Sequence, residues 1–212
     1  MSEAVEQVDG EKISVSFHGS RCIHSRHCVL DLPPVFVPNA VGAWIHPDRA
    51  SAEAVAAVAL SCPSGAIQYQ RHDGVANESA PAVNTVRIRE NGPLAFHAEL
   101  TVNGDRSTFR ATLCRCGASH NKPYCDGAHA RANFVATGEP PTSELDTLAR
   151  RDGPLTVTPT PNGPLMVVGA VEIVSGTGRT VTKTEKTFLC RCGASENKPF
   201  CDGSHKKVGF TA

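Results

Sequence analysis

Apolar and polar residues alternate along Lys12–His18, with Ile13, Val15 and Phe17 on one face, and this predicts a strand. Asp48–Ser61 contains the alanine-rich run SAEAVAAVALS, which predicts a helix with Ser51 as its N-cap. That helix must stop at Cys62-Pro63, because proline has no amide hydrogen and disfavours a helical residue before it. A short closing strand is expected at Ile67–Gln70, and the polar stretch Arg71–Ala82 reads as a linker. Beyond it the pattern repeats. Val86–Leu94 (VRIRENGPL) and Val157–Leu165 (VTPTPNGPL) each predict a strand, an Asn-Gly-Pro turn and a second strand. Third strands are expected at Ser107–Leu113 and Val181–Leu189. The turns are offset by 71 residues and the segments that follow by 76, so the second unit carries five extra residues, placed near Ser175–Arg179. Pro141–Arg151 joins the units and allows a helical turn at Ser143–Arg150.

This pattern predicts an α+β chain. A small N-terminal domain covers 1–72, a linker 73–83, a first repeat unit 84–140, a connector 141–152 and a second repeat unit 153–212. A unit of two or three short strands cannot bury its own sheet face. The two units are therefore expected to pack as a pseudo-twofold pair within one chain, leaving the protein monomeric. Aromatic residues make up 5% and hydrophobic residues 40% of the chain, which allows only a small core per module. Modules of about 60 residues usually need a staple such as a metal. Trp44 and Ile45 are expected in the N-terminal core.

The candidate chemistry lies at the end of each repeat unit. CRCGASHNKPYCDGAH at Cys114–His129 recurs as CRCGASENKPFCDGSH at Cys190–His205. Both place their donors as C-x-C-x8-C-x3-H, and they agree at thirteen of sixteen positions. Three thiolates and an imidazole suit zinc, copper(I) or an iron–sulfur cluster. Zinc usually takes its cysteines as C-x2–4-C pairs. A one-residue spacer strains a chelate around one ion and suits two thiolates reaching one iron of a pair.

Both phrases resemble the CDGSH iron–sulfur domain of mitoNEET-like proteins, whose pattern is C-x-C-x2-[ST]-x3-P-x-C-D-G-[SA]-H. The match takes in Cys114, Cys116, Ser119, Pro123, Cys125, Asp126, Gly127, Ala128 and His129, then Cys190, Cys192, Ser195, Pro199, Cys201, Asp202, Gly203, Ser204 and His205. The resemblance implies a [2Fe–2S] cluster in each unit, held by Cys114, Cys116, Cys125 and His129 and by Cys190, Cys192, Cys201 and His205. A neutral imidazole in place of a thiolate removes negative charge and raises the reduction potential. A proton taken up with the electron then makes the potential fall with pH, and acid releases the cluster. Ser119, Asp126, Gly127, Ser195, Asp202 and Gly203 are expected to support the ligands: the carboxylates cap a following helical turn and the glycines allow tight backbone. Lys122 and Lys198 are expected either to offset cluster charge or to be solvated loop residues.

The other three of the nine cysteines are Cys22, Cys28 and Cys62. An odd count excludes a fully disulfide-paired framework. RCIHSRHCV followed by CPSGAI overlays on the ferredoxin run C-x2-C-x2-C with a closing Cys-Pro, with Ser25 where the second thiolate belongs. Together with Leu32–Phe36, these segments resemble divergent single-cluster ferredoxins over residues 12–70. The resemblance implies a ferredoxin-like domain holding a [3Fe–4S] or [4Fe–4S] cluster, with His24, Ser25, His27 or no residue as fourth ligand.

Twenty-one basic and twenty-one acidic residues balance, and no basic patch is interleaved with aromatics, so a nucleic-acid partner is not expected. No apolar run reaches membrane-spanning length and no leader pattern is visible, which points to a cytoplasmic protein with its thiols kept reduced. Nucleotide-binding glycine loops and hydrolase nucleophile elbows are absent, so no enzyme is expected. The expected function is electron transfer between a reductase and an acceptor. The alternatives are cluster delivery to apo iron–sulfur proteins, redox or pH sensing, and a zinc-stapled interaction module.

Overall fold

The computed structural model describes residues 5–105, 108–143, 145 and 147–212. The chain divides into two compact units, Met1–Ser79 and Ala80–Ala212.

In the first unit the elements run β1 (Val5–Val8), β2 (Ile13–His18), α1 (His27–Asp31), α2 (Ala52–Ser61) and β3 (Ile67–Arg71). They form an antiparallel sheet in the order β1-β2-β3. Ser51 caps α2 by accepting from the Ala54 amide, and the helix ends at Cys62 as the proline requires. β1 was not expected, because VEQV shows its pattern only once β2 pairs with it. Ile13, Val15, Val35, Phe36, Ile45, Val55, Ala59 and Ile67 form the core. Ile45 is buried as expected; Trp44 is partly buried, its ring edge-on to Phe17 at 4.9 Å and its Nε1 donating to Glu6. Arg71 and His72 are not linker. Arg71 ends β3 with its guanidinium on Glu53 and Asp73, and His72 bonds Ser14 across the sheet.

In the second unit β4 (Thr85–Ile88), β5 (Leu94–His97), β6 (Glu99–Val102), β7 (Arg110–Leu113) and α3 (Ala128–Arg131) are followed by β8 (Pro154–Pro159), β9 (Leu165–Val174), β10 (Thr180–Leu189) and α4 (Ser204–Lys207). All seven strands join one sheet in the order β6-β8-β9-β4-β5-β7, with β10 on β9. The Asn-Gly-Pro turns close β4 on β5 and β8 on β9, with Asn91 and Asn162 in the left-handed region. The repeats then exchange strands. Thr101 of β6 pairs in parallel with Thr156 of β8, and Thr85 of β4 pairs in parallel with Glu172 of β9. Adding the offset of 71 to Thr85 and Thr101 gives Thr156 and Glu172, so the two pairings are one interaction seen twice. A single apolar core, including Val86, Phe96, Leu100, Leu155, Ile173 and Leu189, is shared by both repeats. The extra residues of the second unit lengthen the β9–β10 hairpin around Ser175–Arg179.

The expected third strand of the first unit is observed from Arg110; its predicted start at Ser107 lies outside the described residues. The predicted turn at Ser143–Arg150 includes Glu144 and Asp146, also outside the described residues, and no helix forms at the described positions there.

Candidate metal centres

Each repeat brings its four expected donors together as two pairs. Cys114 Sγ and Cys116 Sγ lie 3.7 Å apart, and Cys125 Sγ and His129 Nδ1 lie 3.4 Å apart. In the second repeat Cys190 and Cys192 are 3.8 Å apart, and Cys201 and His205 Nδ1 are 3.4 Å apart. Tetrahedral coordination with metal–sulfur bonds of about 2.3 Å and metal–nitrogen bonds of about 2.0 Å places two sulfurs about 3.8 Å apart, and a sulfur and a nitrogen about 3.5 Å apart. Each pair thus has the spacing of two donors on one metal. Among the described residues no three His, Cys, Asp or Glu side chains gather closely enough to hold a single ion. The donors of each repeat thus form two pairs, one of two thiols and one of a thiol and an imidazole.

Backbone amides favour thiolates in both sites. Ala118 and Gly127 donate to Cys116 and Cys125, and Ala194 and Gly203 to Cys192 and Cys201, all at 3.4 Å. Cys116 shares a proton with Cys114 and holds that thiol below the ordinary thiol value. Burial pushes Cys125 up to about 11. A bound cation reverses this burial penalty. Burial also holds His129 below the usual imidazole value, with Asp126 opposing and Arg115 assisting.

The N-terminal cysteines come from three separate elements. Cys22 follows a short 3-10 turn, Cys28 lies in the first turn of α1 and Cys62 caps the end of α2. All three line one cavity of about 310 Å³, with Phe17, Trp44 and Ile67 among its apolar walls. His24, Ser25 and His27 also line it, on a loop where His24 and Arg26 take positive φ of 54° and 65°. Burial raises the Cys22 and Cys28 thiols. A cavity of this size suits a polynuclear cage more than a single ion.

The family described as the iron-binding zinc finger of CDGSH type matches residues 83–130 and 162–206. CDGSH iron-sulfur domain-containing protein 1 of Mus musculus is 31% identical over 81 residues, covering 38% of this chain and 70% of its own length. Its Rattus norvegicus counterpart is 32% identical over 84 residues, covering 38% and 74%. The chain belongs to the CDGSH iron–sulfur family. Ahead of its two CDGSH repeats, residues 8–72 match the divergent 4Fe-4S mono-cluster family. There the uncharacterized protein YjdI of Escherichia coli (strain K12) is 39% identical over 61 residues, covering 29% of this chain and 79% of its own length. Both families bind iron–sulfur clusters, and no catalytic family is among the matches.

The CDGSH phrase explains its own geometry. Asp126 accepts from the amides of His120 and Ala128, and Asp202 from those of Glu196 and Ser204, at 2.8–2.9 Å. The carboxylate caps the turn that carries the histidine, although the N-cap residue itself is Gly127 or Gly203, at φ of 81° or 87°. Ser119 and Ser195 are buried and donate to the carbonyls of Tyr124 and Phe200. Lys122 and Lys198 are not free loop charges: each donates to the carbonyl of the serine three residues earlier. The Lys122–Pro123 and Lys198–Pro199 peptide bonds are cis.

The two amides hold the Asp202 carboxyl far below the usual carboxylate range. The stabilisation this gives is complete above the unfolded-state value near pH 4 and is lost as acid titrates the folded carboxylate. Asp202→Ala is therefore expected to speed loss of the visible chromophore of the second CDGSH site several-fold at neutral pH, with far-UV circular dichroism unchanged. Equal decay of parent and variant would remove the carboxylate from the support of that site.

Sequence reasoning missed Arg115 and Arg191, the middle residues of the two C-R-C sequences. Both are buried. Arg115 donates to the carbonyls of Gly92, Arg89, Ala136 and Thr137, and Arg191 to those of Gly163, Thr160 and Ala212. Asn91 and Asn162 bind the amides of the same tails, at Ala136 and Ala212. Each arginine thus ties its cysteine loop to the Asn-Gly-Pro turn and to the chain beyond the histidine. The signal was the equal persistence of turn and arginine in both repeats.

Proposed function

We propose that this chain is a multi-cluster redox protein that passes electrons between a reductase and an acceptor. Each CDGSH repeat holds a [2Fe–2S] cluster, on Cys114, Cys116, Cys125 and His129 and on Cys190, Cys192, Cys201 and His205. The ferredoxin-like N-terminal unit holds a [3Fe–4S] or [4Fe–4S] cluster on Cys22, Cys28 and Cys62. The observation that carries the reading is the gathering of three thiols and one imidazole of each repeat into donor pairs at 3.7 and 3.4 Å and at 3.8 and 3.4 Å, in a chain whose two matched families bind iron–sulfur clusters. Bound clusters would supply one-electron chemistry; the protein supplies thiolate-stabilising amides and a half-buried imidazole. Cysteines that must stay reduced to bind clusters favour a reducing compartment such as the cytoplasm. Among the described residues no helix is long and apolar enough to cross a membrane.

Anaerobic iron and sulfide analysis with EPR tests this, with about seven or eight irons per chain expected from the cluster types. Zinc without acid-labile sulfide would overturn it. Cluster delivery is the second reading, supported by the partial exposure of His129 and His205, which opens the Fe–N bond to acid. Incubation with an apo-ferredoxin decides: failure of [2Fe–2S] transfer at every redox poise removes that reading.

Ser25, which fills the second cysteine slot in the ferredoxin overlay, lines the N-terminal cavity with Cys22, Cys28 and Cys62. Ser25→Cys is expected to convert the cluster to a four-iron cubane with four thiolates. EPR of the variant should show a reduced four-iron signal; an unaltered three-iron signal would contradict the placement of Ser25.

A further inference from the structure

We propose that the Thr112 hydroxyl is a hydrogen-bond donor to the first CDGSH centre, a donor that the second centre lacks, and that it raises the potential of the first. The inference rests on the two-cluster reading and deepens it by making the two centres unequal.

The backbone gives both centres one frame. Their ligand sequences agree at thirteen of sixteen positions, and the loops meet in an antiparallel bridge between Cys116 and Cys192. The strands that lead into those sequences differ. Leu113 bridges Tyr124, and the Cys125 amide donates to the Thr112 carbonyl at 2.9 Å, so the pairing continues and sets Thr112 opposite Cys125. Residues opposite one another on antiparallel strands share a face, with Cβ atoms about 4.5–5.5 Å apart. Cys114 lies two residues on and is still paired through its amide to the Pro123 carbonyl, so it shares that face. Thr112 therefore stands beside one ligand from each donor pair. In the second repeat the same pairing, Leu189 with Phe200 and the Cys201 amide on the Phe188 carbonyl at 2.9 Å, sets Phe188 opposite Cys201. Adding the offset of 76 to Thr112 also gives Phe188.

The two side chains have opposite characters. Thr112 is 2% exposed, and its Oγ1 is buried with no hydrogen-bond partner among the described residues. A buried hydroxyl left unpaired is costly, and buried polar groups in native proteins are almost always bonded. Rotation between staggered wells about χ1 sweeps Oγ1 toward the cross-strand neighbour. A cluster-bound thiolate on Cys125 is an anionic acceptor, and a charge-assisted bond to it is stronger than one between neutral groups. Hydrogen bonds to cluster sulfurs are among the levers that set the potential. The bond draws electron density from the iron and eases reduction. Phe188 is 42% exposed, carries no donor, and has the Lys186 ammonium 5.8 Å from its ring centre. The second centre thus has no counterpart of this bond.

The test is a redox titration of the holo-protein followed by EPR, in a His205→Cys background that alters the second centre's signal and so identifies the first. Thr112→Val keeps the branched shape and removes the hydroxyl. At a fixed poise the reduced-to-oxidised ratio of the first centre should fall about three- to tenfold, tenfold being 59 mV for one electron, while the second centre stays put. Thr112→Ser keeps the donor and should keep the parent ratio. Thr112→Ala serves in place of Thr112→Val should that variant fail to fold. The apo-protein separates tuning from packing: the hydroxyl has no bond to lose there, so Thr112→Val should unfold at no lower temperature than the parent. An unmoved first centre, equal falls in Thr112→Val and Thr112→Ser, equal falls at both centres, or a lower apo midpoint would each overturn the proposal while leaving the clusters in place. Missing iron and sulfide in the parent would overturn the two-cluster reading and the proposal with it.

Discussion

Replacing His205 with cysteine is expected to lower the potential of the second CDGSH centre by on the order of 100 mV or more, because a thiolate adds negative charge where a neutral imidazole stood. His129→Cys should do the same at the first centre. The geometry also fixes how the pH response changes. In both repeats Nδ1 is the ring atom that faces the paired cysteine, 3.4 Å from its sulfur, so Nε2 lies on the far edge of a half-buried ring. Reduction makes the centre more negative and Nε2 easier to protonate, so electron and proton arrive together. The parent potential should then fall by about 59 mV per pH unit above the oxidised-state imidazole value. A cysteine offers no second nitrogen, and the slope should flatten toward zero. Protein-film voltammetry from roughly pH 7 to 9, above the ordinary imidazole value of about 6.5, measures both quantities. An unchanged slope would strike the histidine from the ligand set.

The chemistry of this protein was legible because it is local. The donors of each CDGSH site fall within sixteen residues, and the capping aspartate and serine lie among them. The same holds for Ser51, whose hydroxyl caps the helix it precedes. What escaped depends on contacts distant in sequence. The strand exchange is set by burial of faces that neither repeat can cover alone. Sequence alone predicted the pairing of the units but not that β6 would lie on β8 and β9 on β4. Arg71 looked like part of a polar linker, and only the fold shows it buried against Glu53 and Asp73. Arg115 and Arg191 were passed over for a related reason. Charged residues are almost never fully buried unless paired, and nothing beside them in sequence reveals the carbonyls that receive them.

Gly117→Ala is expected to be among the most damaging single-methyl changes in the second unit. Two costs combine. Gly117 has φ of 82°, where an L-residue is strained by about 1–2 kcal/mol. The new Cβ would also meet the Cys192 carbonyl oxygen at 2.5 Å and its carbon at 3.0 Å, and backbone cannot swing aside as a side chain can. Relief requires the two cysteine loops to part, which breaks the Cys116–Cys192 bridge. Gly104→Ala isolates the first cost, since Gly104 has φ of 86° with nothing within 4 Å of its Cβ position. The control should lose only the strain term. Gly117→Ala should lose about 3 kcal/mol or more, a fall in thermal midpoint on the order of 10 °C for a domain of this size. Gly193→Ala should match it, because its Cβ would meet the Cys116 carbonyl oxygen at the same 2.5 Å. The consequence for function is specific. A methyl group placed in the first CDGSH loop should loosen the second centre as well as the first, so visible absorbance from both should decay faster. Equal thermal midpoints for Gly117→Ala and Gly104→Ala, or chromophore loss from the first site alone, would show that the loops tolerate separation.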